Sequence, residues 1–279
     1  MSDVAASAEA QRAEIEAEQE SQPLLSDREP PSALLPAYAD NPAFSAKLAD
    51  LCARWRGIRR CRGDGQCFYR SLLVSMGEKV IDARVTLPGG GGGGGGGGAP
   101  LQAAYEALLA TVAGAEARLV ALGYPASTVP DFLEALSDWL LALAAPGASA
   151  EASVHAPFRE KMTGWYILYG LRLLTALELR SHEEEYGAFI VGATEHASVA
   201  AFCEAEVEAS AVDADELQIT ALVRVLKGAL TIAYLDASPG DAVTLITFPR
   251  DAAPEAAAAL PLLATLLYRP GHYDVVYAE

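Results

Sequence analysis

The sequence predicts an α+β fold on three observations. Apolar residues recur at helical spacing through most of the chain. Short β-prone runs separated by Gly, Pro and Asp turns are gathered near its end. The two kinds of segment follow one another instead of alternating, which indicates a mostly antiparallel sheet with helices packed on it. The 279 residues suit one large domain or two small ones, and the 52% hydrophobic fraction is ample for a core, although much of it is alanine.

Residues 1–23 are rich in Ala, Glu and Gln, with few large apolar groups, and read as a flexible or helical solvated arm. Pro30, Pro31 and Pro36 punctuate the way into the domain. From Asn41 to Arg56 the residues Phe44, Leu48, Leu51 and Trp55 mark one face of an amphipathic helix. Gly65 leads into a buried helix over Cys67–Val74. The ten glycines 89–98 read as a surface insertion, because glycine loses the most backbone freedom on ordering. They lack the Gly-Lys-Ser/Thr ending of a phosphate-binding loop.

Helices are expected at Leu101–Leu122 and Val129–Ala145, then a linker around 144–153. A single long helix over Phe158–Arg180 is apolar on most faces and so runs through the core. Tyr186–Ile190, Val199–Glu208 and Glu216–Leu226 also read as helical. The β-prone runs are Leu230–Leu235, Val243–Phe248, Ala264–Tyr268 and Asp274–Tyr277. The last two form a hairpin across residues 269–273.

Lys and Arg number 20 against 37 Asp and Glu, a formal net charge of −17. This argues against nucleic acid, whose binding rests largely on basic side chains. A neutral or basic protein partner fits better. No apolar run approaches the roughly 18 residues that suggest a membrane span. Trp165 to Leu179 comes nearest, and Arg172 and Glu178 interrupt it. The acidic start carries no apolar signal segment, so a reducing intracellular compartment and free thiols are expected for Cys52, Cys61, Cys67 and Cys203. No pair has Cys-x-x-Cys spacing, which leaves no zinc cluster in view.

Two stretches carry chemistry. In Arg62-Gly63-Asp64-Gly65-Gln66-Cys67-Phe68-Tyr69-Arg70, a cysteine stands at the first turn of a helix after a glycine-rich bend. There the unpaired N–H groups and the helix dipole favour a thiolate, so Cys67 is expected to titrate well below a free thiol. The same N–H groups, with those of the 64–66 turn, are raw material for an oxyanion hole. In Arg269-Pro270-Gly271-His272-Tyr273-Asp274, residues two apart on a strand share a face, so Asp274 can orient the His272 imidazole. Cysteine, base and orienting carboxylate make up a thiol nucleophile site. The other histidines read as structural or exposed: His155 in a linker, His182 as a helix C-cap and His196 in a polar loop. Cys52, Cys61 and Cys203 read as buried packing residues.

The stretch 62–70 resembles the nucleophile motif of ovarian-tumour-type deubiquitinases, and the otubain branch is the close match. Leu24–Arg28, Leu171–Thr175, Phe202–Glu208 and Leu267–Asp274 resemble otubain segments in the same order, so the likeness covers residues 24–279 apart from the glycines. The resemblance implies a papain-like α+β fold whose helical subdomain packs on the C-terminal sheet. It implies a thiol isopeptidase acting on ubiquitin and polyubiquitin, with no cofactor or metal. Cys67 is then the nucleophile and His272 the base; Asp274 orients His272, and Asp64 belongs to the loop that builds the oxyanion environment. It also implies a preference for the linkage that marks proteins for the proteasome. An N-terminal arm that holds the proximal ubiquitin or a ubiquitin-conjugating enzyme, and a cytoplasmic and also nuclear location, complete the expectation. Gln66 stands where the family usually has Asn. The rival reading is a binding module that holds ubiquitin or a charged conjugating enzyme and inhibits transfer without cleavage.

Overall fold

β-Branched and large aliphatic residues near the C-terminus build four strands of one five-stranded sheet. The computed structural model describes residues 20–87, 98–250 and 252–278. The expected arm lies outside the described residues up to position 19, as does the glycine tract apart from Gly98. The strands are β1 (Gly57–Arg59), β2 (Ala229–Tyr234), β3 (Thr244–Phe248), β4 (Leu262–Arg269) and β5 (His272–Tyr277), in the order β1-β5-β4-β2-β3. Pairs β1–β5, β4–β5 and β2–β3 are antiparallel. β2 and β4 run parallel, because the chain returns from β3 to the far side of β2 before β4 begins. The predicted hairpin is present, and it is tighter than expected. Arg269 pairs with His272, so Pro270 and Gly271 alone form the turn. Gly271 has φ 71°, which an L side chain rarely adopts, and Pro before it suits the preceding corner of such a turn. β1 escaped prediction because three residues show no alternation.

The two faces of the sheet bury different partners, as a period of two requires. Ile232, Leu266 and Val275 face the main core. Ala233, Leu267 and Val276 face Phe44, Leu48 and Leu51 of helix α1 (Pro42–Arg54). On the main-core side lies α2 (Cys67–Asp82), buried on nearly every face along its first three turns. Burying each of its Phe and Leu side chains stabilises by about 1.5–3 kcal/mol.

Beyond α2 sits the helical subdomain, which corrects several expectations. The segment from 101 to 122 is two helices, α3 (Ala99–Ala113) and α4 (Ala115–Ala121), separated at Gly114. After α5 (Val129–Leu143) the supposed linker contains a π-helical turn at Ala150–His155. The long helix over 158–180 is divided into α6 (Ala156–Arg159) and α7 (Lys161–Ser181). Glu160 breaks it with extended ψ of 124°, and its carboxylate accepts the N–H groups of Met162 and Thr163 at 3.1 and 2.6 Å. Gly170 of α7 lets α5 approach closely: a Cβ there would stand 2.5 Å from the Phe132 carbonyl oxygen. Then come α8 (Glu183–Ala193), α9 (Val199–Phe202), which runs into a π turn at Cys203–Val207, and α10 (Glu216–Leu226). α10 opens on a capping box of Asp215 and Gln218. The short α11 (Pro254–Ala259) precedes β4. Among the described residues no helix is long and apolar enough to cross a membrane.

Candidate functional site

The nucleophile turn and the last hairpin meet where α2 docks on β5. Tyr273 N–H donates to Cys67 Sγ at 3.2 Å. One turn further along α2, Ser71 Oγ donates to the Tyr273 carbonyl at 3.1 Å. Positions i and i+4 of a helix lie on one face, so both polar groups of a single strand residue are gripped by α2. Tyr273 is flanked by His272 and Asp274, and this grip therefore fixes the imidazole–carboxylate pair against the start of the helix.

His272 Nε2 lies 2.8 Å from Asp274 Oδ1. With Nε2–H donated to the carboxylate, Nδ1 carries the lone pair and is the basic nitrogen. Asp274 is fully buried and saturated: Cys61 N–H donates to Oδ1 at 3.0 Å, and Arg269 reaches Oδ2 through Nε at 2.9 Å and Nη2 at 2.7 Å. Burial alone would push the Asp274 carboxyl up. The His272 hydrogen bond, the charges of His272 and Arg269, and the Cys61 N–H outweigh it and hold the carboxyl below its ordinary value.

Asp64 acts on the turn instead of facing the thiol. Its Oδ1 accepts Gln66 N–H at 3.1 Å, and its two oxygens pair with the buried Arg70 guanidinium at 3.0 and 2.8 Å. Asp64 N–H is itself bonded to the Arg62 carbonyl at 3.0 Å. The N–H groups of Asp64 and Gln66 therefore have acceptors within the turn in this arrangement. The N–H groups of the first turn of α2, beginning with Cys67, have no backbone acceptor among the described residues. A helix leaves these without internal acceptors, and the first N–H in α2 to find one is that of Arg70, bonded to Gln66 O at 2.9 Å.

Nothing in the sequence pattern points to Asp213. The Cys67 thiol donates to Asp213 Oδ1 at 3.1 Å, and Cys67 is 0% exposed. Burial pushes the Cys67 thiol well up from its ordinary value, and the Asp213 charge and hydrogen bond push it further; the Tyr273 N–H opposes them. The expected depressed thiol is thus corrected: in this resting arrangement a carboxylate, which favours the protonated sulfur, occupies the thiol. Asp213 is raised by burial, against the thiol hydrogen bond and the positive charges of His272 and Arg172. The segment 209–214 has no apolar period. The capping box at Asp215 marks only where the next helix starts.

Arg172, which in the sequence interrupts an apolar run and lies in the otubain-like segment 171–175, is fully buried and bonds both sides of the site. It reaches Gln66 Oε1 and Gly65 O on the nucleophile turn, and Val207 O and Val212 O on the loop that carries Asp213. The remaining histidines lie elsewhere. His155 is buried between Glu78 at 2.7 Å and Glu151 at 2.9 Å, on the π turn and not in a linker. His182 caps α7 as expected, and His196 bonds Glu206. All four cysteines are free; Cys61 and Cys203 are buried, while Cys52 is only partly so. Among the described residues no group of three His, Cys, Asp or Glu is placed to hold a metal ion.

The family model for Peptidase C65 Otubain matches residues 17–278. The chain belongs to the otubain family. Its relatives include a ubiquitin thioesterase otubain-like protein of Caenorhabditis elegans, 33% identical over 271 residues, which span 95% of this chain and 85% of the relative. Ubiquitin thioesterase OTUB1 of Homo sapiens is 29% identical over 256 residues, 91% of this chain and 83% of the relative. Among solved structures, an otubain chain from a complex of ceOTUB1 with ubiquitin aldehyde and UBC13~Ub superposes with a TM-score of 0.77 at 32% identity, covering 96% of this chain and 98% of that one. A chain from an h/ceOTUB1 complex with ubiquitin aldehyde and UBCH5B~Ub superposes with a TM-score of 0.76 at 31% identity, covering 98% of each chain. The resemblance read from 62–70 and 269–274 is borne out, and with it the papain-like α+β otubain fold: a helical subdomain on a mostly antiparallel sheet.

Proposed function

We propose that this otubain is a deubiquitinating thiol protease that hydrolyses the isopeptide bond between the ubiquitin C-terminus and a lysine side chain. The observation that carries the reading is the α2–β5 junction. Tyr273 holds the Cys67 sulfur through its N–H, and its two neighbours are the imidazole and the carboxylate.

The steps follow from the donors present. Asp213 leaves the thiol, and His272 Nδ1 takes the proton. The thiolate adds to the isopeptide carbonyl carbon, and the N–H groups at the start of α2 receive the oxyanion. The imidazolium protonates the lysine nitrogen as the C–N bond breaks, leaving ubiquitin as a thioester on Cys67. Water, deprotonated by His272, adds to the thioester; the C–S bond breaks and ubiquitin departs with a free carboxylate. Asp274 keeps Nε2–H donated throughout, and Asp64 holds the turn.

The names of the relatives, ubiquitin thioesterases, support ubiquitin as substrate. The family resemblance supports polyubiquitin of the proteasome-marking linkage. For the arm over 1–23 we propose contact with the proximal ubiquitin or with a conjugating enzyme, since the similar solved chains come from complexes with UBC13~Ub and UBCH5B~Ub. The test is a ubiquitin C-terminal electrophile followed by a diubiquitin panel. Covalent labelling lost in Cys67→Ala and cleavage of at least one linkage are expected.

The Cys67–Asp213 hydrogen bond favours a second reading, a module that holds ubiquitin or a charged conjugating enzyme while its thiol stays capped. Retention on immobilised ubiquitin without labelling or cleavage selects it.

A further inference from the structure

Arg172 carries a charge with no carboxylate in contact. Its four hydrogen bonds go to neutral oxygens: Gln66 Oε1 at 3.1 Å, Gly65 O at 2.6 Å, Val207 O at 2.8 Å and Val212 O at 2.8 Å. Its guanidinium also lies 4.2 Å from the Tyr69 ring centroid. Sealing a cation in the core without a directly paired carboxylate is unfavourable, and the charges of Asp213 and Asp64 favour it only from a distance. Apolar neighbours such as Leu171, Leu173 and Leu174 anchor the backbone of α7 at this point, so the guanidinium is held on a rigid element.

The bond to Gly65 O matters most. In a trans peptide the C=O and the following N–H point in opposite directions. The Gly65–Gln66 plane is gripped on one side by Arg172 at the oxygen and on the other by Asp64 Oδ1 at the Gln66 N–H, 3.1 Å away. This is the peptide that leads directly into the nucleophile. The opposite edge of the guanidinium holds Val207 O, and Nη2 is shared between Gly65 O and Val212 O, the residue before Asp213. The two loops touch through their backbones here, since a Cβ on Gly65 would stand 2.2 Å from the Ala211 carbonyl carbon.

We propose that Arg172 is a positioning residue for the hydrolysis. It clamps the peptide plane that aims Cys67 and its N–H, and it tethers the loop that seats Asp213 on the thiol. Gln66 belongs to the same clamp: its amide oxygen receives Arg172 Nε, a use for the side chain that stands where the family usually has Asn. The inference rests on the catalytic reading above for its effect on turnover, but the tether stands on geometry alone.

Arg172→Lys tests both parts, because lysine keeps the charge yet cannot span four acceptors in two loops from one nitrogen. Full-length wild type and variant are compared on a fluorogenic ubiquitin C-terminal amide and, separately, with iodoacetamide, mapping each modified cysteine by mass. The clamp predicts a kcat lower by about 20-fold or more with KM changed by less than about 3-fold, because misplaced reacting groups lose turnover and not substrate affinity. The tether predicts that Cys67 is alkylated several-fold faster while Cys61 and Cys203, both buried, stay protected. Unchanged kcat overturns the clamp. Unchanged Cys67 labelling overturns the tether. Labelling of Cys61 and Cys203 together with Cys67 overturns both, because it reports general loosening. Asp64→Ala guards against a variant that fails to fold. Asp64 and Arg172 grip the same peptide, so Asp64→Ala is expected to lower kcat with KM held, and an unchanged kcat overturns the clamp. If the wild type itself shows no turnover, the catalytic reading falls, and the labelling pattern alone decides the tether.

Discussion

Cys67 and Asp213 share a proton in the resting enzyme: the thiol donates to the carboxylate at 3.1 Å across 146 residues of chain. A negative charge beside a thiol disfavours the thiolate, so this pair favours the protonated sulfur. Asp213→Asn removes the charge and keeps an acceptor. We expect the midpoint of Cys67 alkylation against pH to fall, because the Asp213 charge is one of the causes that hold the thiol up. A midpoint that stays where it is in the wild type would show that burial alone holds the proton.

Gly65 has φ 75° and lies against the Ala211 backbone. Gly65→Ala introduces both a left-handed alanine and a clash with a main-chain carbon that no rotamer change relieves. Backbone strain of this kind costs about 1–3 kcal/mol. Thermal unfolding should register that loss, and Cys67 labelling should accelerate because the displaced loop is the one that carries Asp213. A variant with wild-type melting temperature and labelling rate would contradict the packing described here.

Lys47 serves as a control away from the site. It is fully buried in α1, and its ammonium donates to Asp236 Oδ1, Asp236 O and Ser238 Oγ at 2.8, 3.0 and 2.8 Å, pinning α1 to the turn after β2. Lys47→Met removes three hydrogen bonds but leaves Asp236 able to turn to solvent. Stability should fall by about 2 kcal/mol in denaturant titration. Hydrolysis, measured well below the unfolding midpoint, should be unchanged. A fall in kcat would mean that α1 communicates with the site through the sheet.

What could be read from the sequence is what local chemistry encodes. Cys67 was legible because a glycine bend before an apolar helix has few other uses. His272 and Asp274 were legible because strand alternation puts them on one face. The hairpin followed from Pro270 with Gly271, whereas the capping box of Asp215 and Gln218 came to light only in the structure. The breaks at Gly114 and Glu160 were missed because apolar periodicity continues across them; only a side-chain cap reveals the second. Asp213 and the full reach of Arg172 were not legible for a different reason. Their partners are 146 and about 106 residues distant, and contacts of that range leave no pattern in either segment. An arginine inside an apolar helix was the one usable signal, since a buried charge requires acceptors from somewhere.

Asp274 gives the fold an acid-sensitive component. Its folded carboxyl sits below the ordinary value: burial, which would raise it, is outweighed by the His272 hydrogen bond, the charges of His272 and Arg269, and the Cys61 N–H. A carboxyl depressed on folding contributes stability that is present above its unfolded value, about 3.9, and disappears as pH falls through the lower folded value. Melting temperature should therefore drop below about pH 4 in the wild type, and Asp274→Asn should lack that component. At neutral pH the variant leaves the Arg269 guanidinium without its counter-ion and should be less stable by about 3 kcal/mol. It also presents His272 with an amide that can donate as well as accept, so the imidazole can settle with Nδ1 protonated and no lone pair for the thiol. Turnover should fall by about 10²–10⁴-fold, as it does when a triad carboxylate becomes an amide. Cys67 alkylation should change far less, since Asp213 and not Asp274 is hydrogen-bonded to the sulfur. Equal losses in both assays would instead assign Asp274 to holding the β5 strand against α2.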